Sequence, residues 1–170
     1  KMVRQLDAGD VIAVAKTPIP ANMTFAELES KLIDLAKPLL AQVIREYANE
    51  IPVGTSQQHE LATYAPKIEL EEGEIDWHRS SQEIHNLIRA FSPRPGAWCW
   101  VYGANDKKRL KILRAQIVSE QGRPGEWLSL NGAVGCRKGA IQLLEVQPEG
   151  KKTMKASDWL RGQKTISFIN

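Results

Sequence analysis

A helix bracketed by its own start and stop signals constrains this chain most. Ser80 stands three residues before Glu83, so each side chain can satisfy a backbone N–H left open at a helix start. Ile84, Leu87, Ile88 and Phe91 follow at i, i+3, i+4 and i+7 and therefore share one face. Pro93 and Pro95 stop the helix, because proline has no N–H to give and its ring excludes the helical turn. Gly96 frees the backbone to enter residues 97–102, where Trp98 and Trp100 favour a strand. The pattern predicts a helix packed on the sheet that its following strand joins.

The residues after this unit read as all-β. Residues 109–119 alternate around Leu110, Ile112 and Ile117, and residues 122–125 form a turn. Short strand candidates at 127–130, 133–136 and 140–146 are punctuated by Gly132, Gly135 and Gly139. Residues 165–169 offer an edge strand, and Ser157 can cap a last helical turn over 158–161 that Gly162 ends. Short strands at close spacing predict a small barrel or sandwich.

The front of the chain differs. Residues 11–19 read as a buried strand closed by Pro18 and Pro20. Thr24 with Glu27 forms a second capping box. A helical pattern follows through Phe25, Leu28, Leu32, Leu35, Leu40, Val43, Ile44 and Tyr47. Pro38 inside it predicts a kink or two abutting helices. One strand and one or two helices cannot enclose a core, and a strand buried on both faces needs sheet neighbours. Residues 1–49 are thus expected to be the tail of a larger α/β domain whose beginning lies outside this chain. Residues 50–66 lack periodicity and read as a linker, leaving residues 67–170 as the second domain. The expected class is α+β.

Charge separates the two parts. Residues 1–66 hold six basic and eight acidic side chains, whereas 67–170 hold 17 basic and 12 acidic. From Trp77 onward the balance is 16 to 7, or +9, which points to a polyanion partner for the second part. No apolar run approaches the ~18–20 residues of a membrane span, and no signal peptide pattern is present. Cys99 and Cys136, far apart and without a Cys-x-x-Cys pairing, read as free buried thiols in a reducing cytosol; no metal site is expected.

Three stretches resemble one family. Ile75-Asp76-Trp77, then Ile88-Arg89-Ala90-Phe91-Ser92-Pro93 and Pro95-Gly96-Ala97, resemble the start of the C-terminal domain of the methionyl-tRNA formyltransferase family. Tyr64-Ala65-Pro66-Lys67-Ile68 is similar to that family's linker end. Residues 144–162, with Gln147-Pro148-Glu149-Gly150-Lys151-Lys152 and Asp158-Trp159-Leu160-Arg161-Gly162, are similar to a pattern of that family, with Trp159 where phenylalanine is commoner. The resemblance implies an OB-like barrel for residues 67–170 that binds tRNA largely without sequence preference. It implies a cytoplasmic enzyme of translation initiation that transfers formyl from 10-formyltetrahydrofolate to the amine of initiator methionyl-tRNA.

Leu6-Asp7-Ala8-Gly9 is ordinarily a turn, but it resembles the folate-site loop that holds the family's active-site aspartate. The resemblance makes Asp7 catalytic and places Leu6 and Asp7 at the cofactor. In the family this aspartate orients a histidine while an oxyanion is stabilised, a coherent scheme for amine attack on a formyl carbon. The asparagine–histidine motif is absent here, and His59, His78 and His85 do not match it. The chain is therefore expected to be inactive alone, with the N-terminal catalytic half as a missing partner.

For tRNA, the candidates are Lys67, the cluster Lys107, Lys108 and Arg109 on a loop before a strand, and Lys151, Lys152, Lys155 and Arg161 about a turn and short helix. Lysines near loops can each neutralise a phosphate. The tryptophans could stack on bases, but Trp98, Trp100 and Trp127 lie within strand patterns, which favours core packing. Two alternatives stay open. One is a portion of a sugar-nucleotide N-formyltransferase, which would not need the +9 part. The other is a stand-alone, non-catalytic tRNA-binding module, against which the unpartnered front segments argue.

Overall fold

A computed structural model describes residues 3–102, 107–128 and 132–162, and the backbone of 167–169. The chain divides into two units: Lys1–Pro20 with Glu27–Lys67, and Ala21–Ala26 with Ile68–Asn170.

In the first unit the main element is α1, Phe25–Asn49. It is one helix that runs through Pro38, not two abutting helices. A proline removes a single i→i−4 bond, and on an exposed helix water can take the freed carbonyl. No residue of α1 is buried, and Leu32, Ile33, Leu40 and Ile44 are exposed. The strand expected over residues 11–19 does not form. Only Val11 makes a bridge, to Thr55, through reciprocal backbone bonds of 2.9 and 2.8 Å. Val14 and Ile19 stay exposed, since an alternating pattern becomes a strand only where a ladder partner exists. The linker carries a 3₁₀ turn at His59–Leu61.

The second unit holds the core. Its α2, Ser81–Phe91, begins with the expected capping box: Ser80 Oγ accepts from the Glu83 N–H at 3.3 Å and Glu83 Oε2 accepts from the Ser80 N–H at 2.9 Å. Ile84 and Ile88 are buried, with Leu87 and Phe91 packed against the same cluster. Fully burying each isoleucine contributes roughly 1.5–3 kcal/mol. His85 is buried on this helix too. Gly96, at φ 88°, turns the chain into β1, a conformation other residues rarely adopt.

The strands are β1 Ala97–Tyr102, β2 Lys107–Val118, β3 Ala133–Gly135, β4 Ala140–Pro148, β5 Met154–Lys155 and β6 Ser167–Ile169. They form an antiparallel sheet in the order β3-β4-β2-β1-β6, with β5 also on β4. Among the described residues this path is open, and no pairing joins its two ends. The architecture is α+β, with α2 lying chiefly against β2. Register shifts at Ile112–Ala115 mark a bulge in β2, which bends a strand and raises its twist. The short helix α3, Ala156–Arg161, starts two residues earlier than expected, with Lys155 and not Ser157 at its N-cap. The expected strand at 127–130 is reduced to a Trp127–Val134 bridge, and its residues 129–130 lie outside the described residues. Cys99 and Cys136 are free and buried.

Candidate nucleic-acid interface

Strand pairing assembles a basic edge from two sequence clusters. Leu110 pairs with Pro148 and Lys111 with Gln147. Beyond the paired strands, the Glu149 N–H donates to the Arg109 carbonyl at 3.0 Å, and the Arg109 N–H donates to Glu149 Oε2 at 3.1 Å. The turn leaving β4 closes through the Lys151 N–H and the Pro148 carbonyl at 3.0 Å. The exposed Lys151 and Lys152 therefore stand on a turn tied to the β2 segment that carries Lys107, Lys108 and Arg109. That cluster lies on the strand itself, not on a preceding loop, because β2 begins at Lys107.

The other expected contacts are scattered. Lys155 pairs with Glu145, three residues back along β4, or roughly 10 Å from Pro148. Arg161 is exposed but bonded to Asp158, and its Nε donates to the Ser157 carbonyl at 3.4 Å. Lys67 is exposed and falls in the first unit.

The sheet face next to this edge carries aromatic side chains opposite basic ones. Ala97, Cys99, Val101, Leu110 and Ile112 point into the core. The alternate positions pair across the strands as Trp98–Lys111, Trp100–Arg109 and Tyr102–Lys107. Trp98 is buried on this second face, its Nε1–H donating to the Leu70 carbonyl at 3.0 Å, while Trp100 and Tyr102 are half-buried. The tryptophans of the main core are Trp77 and Trp159, with Trp127 packed against it as expected. The period-2 alternation of both strands was the available signal for Trp100, Tyr102 and Lys111, but it needed the register between them.

In the first unit, Asp7 is exposed at φ 55°, a left-handed conformation that aspartate tolerates. Gln57 Nε2 donates to the carbonyls of Asp7 at 2.8 Å and Gly9 at 2.6 Å and so pins the loop. Asp7 and His59 both line an open cleft. Leu6, also on that cleft, is 91% exposed, so the cleft has no enclosed apolar seat for a pterin-sized ring. These residues do not by themselves fit a folate. Among the described residues no cluster of His, Cys, Asp or Glu could hold a metal, and no helix is long and apolar enough to cross a membrane.

An antiparallel sheet with a capped helix, a basic edge and the linker signature defines the class. The chain belongs to the formyl transferase, C-terminal domain family, whose family model matches residues 67–164. Over nearly its whole length it corresponds to the C-terminal portion of methionyl-tRNA formyltransferases. It is 43% identical to that of Protochlamydia amoebophila over 165 residues, 95% of this chain and 52% of the relative. It is 38% identical to that of Sinorhizobium medicae over 168 residues, 98% of this chain and 54% of the relative. The chain thus spans about half the length of the curated relatives it matches. Among solved structures it is similar in fold to a variant of HypX from Aquifex aeolicus, with a TM-score of 0.73, 20% identity, and coverage of 96% of this chain and 30% of that one. HypX in complex with tetrahydrofolic acid matches with a TM-score of 0.69 at 18% identity, covering 99% of this chain and 32% of that one.

Proposed function

We propose that this chain supplies the tRNA-gripping part of a methionyl-tRNA formyltransferase, the enzyme that formylates initiator methionyl-tRNA from 10-formyltetrahydrofolate. The observation that carries the reading is the convergence of Lys107, Lys108 and Arg109 with Lys151 and Lys152 through the β2–β4 pairing. Clustered cations on one edge can follow a phosphate backbone without reading bases. Lys155, Arg161 and Lys67 extend the reading as outlying contacts. The domain division is kept as part of it: residues 1–49 as the rear of a catalytic domain, 50–66 as linker, and 67–170 as the tRNA-binding domain. An OB-like barrel is the finer fold reading. It is favoured by a long, bulged β2 that serves both β1 and β4, as a strand turning a barrel corner must.

Asp7, with Leu6 beside it, keeps the role implied by the family: a carboxylate orienting a histidine near the folate. The family's asparagine–histidine motif is absent from this chain, and His59, His78 and His85 do not match it, so the chain alone is expected to give no formyl transfer. The first test is tRNA binding by the 170-residue chain across a salt series. A steep linear fall of log K with log salt is expected. Absence of tRNA binding, or binding that salt leaves unchanged, would refute the reading. So would tight binding of an amino sugar nucleotide in place of tRNA.

A further inference from the structure

The face carrying Trp98, Trp100 and Tyr102 has more in it than phosphate contacts need. Arg109 Cζ lies 4.3 Å from the Trp98 ring centre and 5.4 Å from that of Trp100. Lys107 Nζ lies 4.1 Å above Trp100 and 5.5 Å from Tyr102. Trp98 and Trp100 meet edge to face, 5.6 Å apart at 84°. The ladder is graded. Trp98 is anchored by Leu70 and buried, whereas Trp100 and Tyr102 remain half-open. Arg109 Nε is enclosed and has no hydrogen-bond partner among the described residues. Beside Arg109 lies a shallow concavity of about 270 Å³, bounded by Lys111, Gln147, Pro148, Glu149 and Gly150.

We propose that Trp100 and Tyr102, with Lys107 and Arg109 over them, form a stacking seat for an unpaired nucleobase, contiguous with the basic edge. The inference rests on the tRNA-binding reading above and names what the interface takes besides phosphate. Lys107 is the movable part. Its ammonium sits on the Trp100 face at the end of a flexible four-carbon stem, and an exposed cation–π contact is weak. A phosphate drawn to Lys107 lifts the ammonium off the ring and leaves the indole face to a base. Base–aromatic stacking is stronger than the contact it replaces and indifferent to base identity, since every base has a π-face. Arg109, held against Trp98 and fixed by the Glu149 contacts to its backbone, does not leave. A regular duplex keeps its bases stacked inside and cannot use this seat, so the seat selects a looped or single-stranded segment.

The test compares the whole chain with its Trp100→Leu variant, using single-stranded oligoadenylate and an RNA duplex of equal charge, over a salt series. Trp100→Leu is expected to weaken oligoadenylate binding by about 5- to 150-fold. The salt slope and duplex affinity should stay where they were. Trp100→Phe, which keeps an aromatic face, should recover most of the loss, and a matching thermal melt separates loss of the seat from loss of the fold. Lys107→Ala should lower the slope by about 0.7 for oligoadenylate. Equal weakening toward duplex and single strand, or unchanged oligoadenylate binding in Trp100→Leu, overturns the seat while leaving salt-dependent tRNA binding intact. Loss of that salt dependence in the unaltered chain is instead the failure of the underlying reading.

Discussion

Replacing Lys151 and Lys152 together by alanine tests the basic edge most sharply. Both side chains are exposed on the turn after β4, tied by backbone bonds to the β2 segment that bears the second cluster. If each neutralises one phosphate, each releases counterions worth about 0.9 in the slope of log K against log salt, so the double variant should lose about 1.8. Counterion release vanishes near ~1 M salt, so the loss of affinity grows as salt falls: roughly 30-fold at ~0.15 M and roughly 200-fold at ~0.05 M. Fluorescence anisotropy of labelled tRNA at several salt concentrations reads the slope directly. Stability should be untouched within about 0.5 kcal/mol, since neither lysine is buried. Lys16→Ala, an exposed lysine of the first unit, serves as the control. Parallel lines for the double variant and the unaltered chain would show that these lysines touch no phosphate, and the convergence of the two clusters would then be an accident of packing.

Other consequences concern the second unit. Burial first, and then the Arg89 charge, hold the His85 imidazole below its ordinary range, against a hydrogen bond to the Ala115 backbone. The unfolded chain therefore takes up this proton before the folded one does. Its contribution to stability is complete above about pH 6.5 and is lost as pH falls toward the lowered folded value. Thermal melts should show His85→Leu losing less stability than the unaltered chain between pH 7 and pH 5; equal losses would count against the buried neutral imidazole. Ile84→Ala removes a fully buried side chain from the α2–sheet contact and should cost about 2–5 kcal/mol by urea unfolding. Burial pushes the Cys136 thiol up to about 11 and raises Cys99 as well. Both should resist a disulfide reagent at pH 8 until the chain unfolds, and rapid modification of either would show that the core opens locally.

What the sequence could state, it stated locally. The Ser80–Glu83 box, the Ile84–Phe91 stripe and the Pro-Arg-Pro-Gly turn lie within about twenty residues, and each acts through neighbours in the chain. The helical pattern after Thr24 was legible for the same reason, though not that it runs unbroken through Pro38. Residues 11–19 misled because an alternating pattern reports a willingness to pair, and a strand also needs a partner that composition cannot supply. Trp127 packs against the core and Trp98 is buried, as their pattern suggested, but the strand tryptophans lie on the second face of the sheet and Trp100 is only half-buried there. Their strand pattern was correct, but which of two faces each took depended on where the core lay.

The sequence by itself determined the helix, its caps, the likeness to one family and the excess of positive charge after Trp77. Only the tertiary structure decided that Lys107 and Lys151, forty-odd residues apart, stand at one edge, and that Trp100 and Tyr102 face outward under Lys107 and Arg109. The reason is register. A shift of one residue between two strands exchanges every side chain between faces, and the bulge in β2 with the pairing to β4 fixes that shift through contacts that no local window of sequence contains.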